Sequence, residues 1–213
     1  MEIKKILVDA WTHLASRKQK LLRILSVPFL VLIILGGVYP YQTGTVFSLL
    51  VVLPSILVAS MIAVAVHRTI LLPPEATSDA ILLPDKRVFV FIVYSIGLSI
   101  ILLPFAIILA AFPVGIYFYF ICAAYLLGRL SLVFPAIAVD AAWTFGDSWR
   151  ATKDHHITMF LVIGLLPLLL MFIDAQFLGP TFFGVLWSLV SAILFLYFIA
   201  VLSVSFNHLR DRI

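Results

Sequence analysis

The hydroxyl groups are the first candidates for chemistry in this chain. Tyr94, Ser95 and Ser99 lie in one apolar run, and Ser188, Ser191 and Ser203 in another. A serine becomes a nucleophile only when a neighbouring base takes its proton, and neither a histidine nor a carboxylate is expected at the same depth. His155 and His156, with Asp147 and Asp154 nearby, come closest to a metal-binding set. Adjacent residues point about 100° apart on a helix, however, and helical metal spacings such as H-E-x-x-H are missing. There is no glycine-rich phosphate loop, and Cys122 stands alone, so neither a disulfide framework nor a thiolate site is expected. These residues point away from an enzyme, and no metal or cofactor is expected.

Composition explains why polar groups are so sparse. Hydrophobic residues form 64% of the 213 and charged ones 11%, with a mean hydropathy of +1.21. A soluble domain carries about a quarter charged residues, so this chain lacks the polar surface to cover a globule in water. Several uncharged runs approach the ~20 residues that cross a bilayer as helix. A β-barrel would show short alternating segments instead. The expected fold is all-α, a single integral membrane domain over 1–213. Its six transmembrane helices lie near 24–39, 45–66, 88–111, 114–134, 157–173 and 182–206. Residues 1–22 read as an interfacial helix and 140–156 as a second interfacial segment. The basic N-terminal stretch lacks the small-residue cleavage site of a signal peptide.

The connections sort by charge. All 14 Lys and Arg residues fall at the N-terminus, around 68–87, around 129–153, or at the C-terminus. The positive-inside rule puts these regions in the cytoplasm, both termini included, and folds the helices into three hairpins. The net charge of +4 then belongs to a membrane face and not to a nucleic-acid site. Expected partners are the bilayer, its anionic phospholipid headgroups and other integral membrane proteins.

Arg129 is the only charged residue between Val88 and Val139. It lies near the end of its helix, where it either snorkels to the headgroups or turns inward to a carboxylate or lipid phosphate. Arg129, Pro135 and Asp140 repeat the spacing of Arg68, Pro74 and Asp79, and Asp9–Trp11 echoes Asp147–Trp149. The echoes suggest one unit used three times: an interfacial helix, a proline-bearing span (Pro28, Pro104, Pro167) and a return span. A direct Arg129–Asp140 bond would need a bend at Pro135, since eleven residues of straight helix cover about 16 Å. Otherwise the partners are crosswise, Arg129 with Asp79 or Arg68 with Asp140.

Trp11, Trp143 and Trp149 are expected interface anchors. With Arg68, Arg129, Arg150 and Asp140 they make a belt facing lipid or a partner protein. Small residues recur every fourth position on the even helices: Ser55, Ala59 and Ala63; Ala124 and Gly128; Gly184, Ser188 and Ala192. Such faces let helix backbones approach closely, which places these helices at the centre of the bundle.

Arg129, Pro135 and Asp140, followed by Ser148, Trp149 and Thr152 ahead of the fifth span, resemble a motif of a bacterial six-helix inner-membrane family. That family includes the membrane domain of some glycerophosphodiester phosphodiesterases and the YciC-like proteins. The close likeness covers about 30 residues, and Lys153 and Asp154 stand where the family often has glycine. The resemblance implies a non-catalytic, membrane-embedded domain of the bacterial inner membrane. The expected function is an accessory or scaffold subunit that binds other membrane proteins, anionic lipid or both. The alternative is a pathway for an apolar or lipidic small molecule.

Overall fold

In an apolar run every backbone N–H and C=O must be paired without water, and a helix does this within one segment. A computed structural model describes residues 2–38, 45–76, 84–112, 114–170 and 182–210, with only the backbone described at 36–38, 45–48, 74 and 182–189. It is helical, with no strand among the described residues. The helices are α1 (Ile3–Ser16), α2 (Lys18–Val38), α3 (Thr45–Leu71), α4 (Lys86–Ala110) and α5 (Gly115–Leu130). They are followed by α6 (Val133–Ala138), α7 (Phe145–Ala151), α8 (His156–Met159) and α9 (Phe182–Leu209). A π-helical segment, Phe160–Leu165, continues α8.

Five stretches among the described residues are long and apolar enough to cross a membrane: Leu49–Leu71, Lys86–Ala110, Gly115–Ala138, Lys153–Leu170 and Val190–Leu209. The chain is therefore a helical membrane protein. α2 is not among the five, and only its backbone is described over 36–38. The expected interfacial helix over 1–22 ends earlier, at Ser16. Arg17 leaves helical geometry (φ −109°, ψ 13°), and α2 starts at the next residue. Pro28, Pro54 and Pro104 lie inside α2, α3 and α4 without ending them.

The largest departure from expectation follows Arg129. The span that begins as α5 turns at Ser131 and Leu132 and resumes as α6, every residue of which is buried. This short helix sits between α3, α4 and α9. Leu132 and Ala136 join Ile62 and Val66 of α3 and Val201 and Val204 of α9 in one core. FPAIAV is thus a plug inside the bundle. By contrast, Phe89, Val93, Ile96, Ile100, Leu103 and Ile107 expose one long stripe of α4.

α5 meets the Phe160–Leu165 segment backbone to backbone. A Cβ on Gly128 would stand 2.6 Å from the Met159 carbonyl oxygen, and one on Gly164 only 1.8 Å from that of Ala124. Ala63, Ala124 and Gly128 are buried, while Ser55, Ala59 and Ala192 are half-buried. Gly184 and Ser188 lie where α9 is described by backbone alone. Asp79 and the turns near 39–45 and 174–181 fall outside the described residues, apart from Thr45.

The close approach predicts the effect of one added methyl group. Gly164→Ala forces α5 and its neighbour apart and should cost roughly 3 kcal/mol or more, read by reversible unfolding in micelles. Gly146→Ala is the control, because its new Cβ would meet only the Thr144 hydroxyl, at 3.5 Å.

Candidate functional site

The last carbonyls of a helix have no partner within it, and away from water they need donors from elsewhere. Arg129 supplies them for α7. Its side chain is buried, at 4% exposure. Nη2 donates to the Trp149 carbonyl at 2.7 Å and Nη1 to that of Thr152 at 3.4 Å. The guanidinium lies 4.1 Å from the centre of the Trp149 ring, a cation–π arrangement that Tyr125 supports edge-on. The bonds run both ways. Ser148 Oγ donates to the Arg129 carbonyl at 2.7 Å, and Thr152 Oγ1 to that of Ser148 at 2.8 Å. Ser148 and Thr152 are both fully buried. Arg129 therefore turns inward, and its partners among the described residues are main-chain oxygens. Arg129 Nε has no hydrogen-bond partner among the described residues.

A second arginine treats α6 in the same way. Arg68 Nη1 donates to the Ala138 carbonyl at 2.8 Å and Nη2 to that of Ala76 at 3.2 Å. α6 ends in a Schellman turn: the Ala141 N–H reaches the Ala136 carbonyl at 2.9 Å, and Asp140 takes φ 60°. Glycine is usual at that position, but aspartate tolerates it better than most residues. The turn aims the Asp140 carboxylate at Arg87, which binds it through Nε and Nη2, each at 2.8 Å. Arg68 stands 3.6 Å away from the same carboxylate. The Arg87 hydrogen bonds hold the Asp140 carboxyl below its ordinary range. The crosswise Arg68–Asp140 pair is present, and the motif divides: Arg129 joins Ser148, Trp149 and Thr152, whereas Asp140 joins Arg68 and Arg87. Arg87 was not singled out in the sequence. Its signal was Asp85, whose carboxylate accepts from the Arg87 and Val88 N–H groups and caps α4.

Arg17 makes the third such contact, from Nη1 to the Leu72 carbonyl at 3.2 Å, just past the end of α3. The beginnings of α2 and α4 and the ends of α3, α5 and α9 thus share one basic end. There His208 also lies 3.8 Å from Asp9.

The tryptophans divide. Trp11 is 59% exposed, with its ring edge-on to Tyr197. Trp143 is half-buried, and its ring meets Phe206 edge-on, with centroids 4.9 Å apart. Arg150 is exposed and pairs with Asp147. Thr144 and Asp147 form a reciprocal capping box on α7. Hydrogen bonds from the Thr144 hydroxyl and N–H, then from Arg150, pull the Asp147 carboxyl down to about 2. Among the described residues no three His, Cys, Asp or Glu side chains could hold a metal ion together.

The expectation that no histidine accompanies the serines needs correction. His67 Nδ1 lies 2.8 Å from Ser203 Oγ in the bundle interior. Ser203 already gives its only proton to the Ile199 carbonyl, at 2.9 Å. Ser55, Ser60, Ser95 and Ser99 likewise donate to carbonyls four residues back.

No family model, curated protein or solved structure matches this chain.

Two outcomes follow from these contacts. Arg129→Lys and Arg129→Met should each lower stability by about 3 kcal/mol, since a lysine cannot serve two carbonyls and stack on Trp149. A snorkelling arginine would tolerate lysine, and reversible unfolding in micelles separates the cases. The Asp147 carboxyl should titrate near 2 rather than 3.8 by carbon NMR, with Thr144→Ala raising its midpoint. Because the folded value is depressed, the cap's contribution is complete above about pH 4 and fades as pH falls towards the folded value.

Proposed function

We propose that this is a non-catalytic six-span protein of the bacterial inner membrane, with both termini cytoplasmic. In this reading α2 is the remaining span, and the spans form three hairpins. It acts as an accessory subunit that binds other integral membrane proteins and anionic lipid. The observation that carries this is the fate of the span hydroxyls. Ser55, Ser60, Ser95, Ser99 and Ser203 each donate to their own helix. With those protons committed inside, the surfaces that remain for recognition are the basic end and the outer apolar faces.

The exposed stripe on α4, from Phe89 through Val93, Ile96, Ile100 and Leu103 to Ile107, alternates steps of four and three residues. That spacing suits a seam against a helix of another membrane protein. The resemblance of Arg129, Ser148, Trp149 and Thr152 to the six-helix inner-membrane family supports the same reading.

Extraction of native membranes in mild detergent should recover the chain with a second membrane protein in stoichiometric amount. Recovery of the chain alone would overturn the accessory role. Single cysteines near residues 5 and 207 should be protected from an impermeant reagent in intact cells and labelled once the inner membrane is opened.

A further inference from the structure

Two hollows meet on the outside of the bundle where α1 passes into α2. One, about 510 Å³, is an apolar groove between α1, α2 and α9, walled by Trp11, Leu14, Leu25, Phe29, Ile193 and Leu196. The other, about 450 Å³, is lined by Ser16, Arg17, Lys18, Lys20 and Thr69 among others. Ala15 and Lys18 line both. Among the described residues no aspartate or glutamate lines either hollow. The Arg17 bond to the Leu72 carbonyl holds that guanidinium beside the end of α3.

We infer that the joined hollows form a binding site for one anionic glycerophospholipid. Its phosphate lies among Arg17, Lys18 and Lys20, and one acyl chain runs along the groove between α2 and α9. The inference deepens the proposed anionic-lipid role and rests on the membrane orientation given with it. Charge and shape together select the occupant. Three cations attract a phosphate, and an apolar channel continuous with them takes a hydrocarbon chain and rejects a free ion or a polar peptide. A groove of this size lies within the range of sites that enclose small-molecule ligands. Leu22, which lines it, is exposed on α2, so a chain can enter sideways from the bilayer.

Native mass spectrometry of the purified full chain tests the site. The chain is offered equal phosphatidylglycerol and phosphatidylcholine in detergent, and one phosphatidylglycerol should stay bound, preferred by more than tenfold. Lys18→Gln removes one exposed cation and should lower that preference about fivefold. Ala15→Trp fills the junction and should abolish retention of either lipid. Equal retention of both lipids by the native chain would overturn the site, as would a preference unchanged by Lys18→Gln. Displacement of the lipid by millimolar inorganic phosphate would also overturn it, because the hollow would then be a simple anion site. Topology is read separately, by cysteine labelling in cells. Loss of the lipid adduct with labelling as expected condemns this site alone.

Discussion

A helix that ends inside a protein leaves carbonyl oxygens facing no donor, and at the basic end of this bundle several helices end together. The structure meets that constraint with guanidinium groups borrowed from other elements. Arg17 reaches past α3 to Leu72, Arg68 reaches the last carbonyl of α6, and Arg129 reaches those of Trp149 and Thr152. Positive charge is also the favourable sign at a helix C-terminus. A planar group with five N–H donors can serve two carbonyls at once, which a lysine cannot. The arginines thus do two things: they gather cations at one end, and they fix where each helix stops.

The contacts differ in what they cost to lose. Arg129 is buried, so its removal strands carbonyls and empties the space above Trp149. Asp140 is 60% exposed at the side chain, and water screens its pairs with Arg87 and Arg68. Exposed pairs of this kind contribute roughly 0–1 kcal/mol. Their value lies in position: Asp140 ties α6 to α3 and α4 at once, holding the plug in register. The small-residue contact between α5 and the segment after α8 holds the other side of the bundle, and there no side chain intervenes.

The helices were legible because charges and turns interrupt otherwise unbroken apolar runs. The fates of individual polar groups were less so, for a physical reason. A carbonyl acceptor is present at every residue, so spacing alone could not show that Arg129 bonds to main chain. FPAIAV has the composition of any membrane span, and only Pro135 hinted that it forms a separate helix. His67 is not legible as an interior residue, because distance along the chain does not give the depth of a side chain. Its side chain turns inward at a helix end whose neighbours, Arg68 and Leu72, face the basic rim. Trp143 shows the converse: a tryptophan near an interface is as useful for covering Phe206 as for meeting lipid.

The π-helical stretch carries a geometric consequence. Its wider turns end shortly before Pro167, which has no N–H to offer the residue four back and whose ring crowds that turn. One surplus residue per wide turn rotates everything beyond it by about 100° relative to an ordinary helix. Met159, just before this stretch, and Val162 and Ile163, within it, are buried, while Leu169, beyond it, is exposed. The two halves of the Lys153–Leu170 span therefore turn different faces inward, as a twisted ribbon shows both of its sides to one observer.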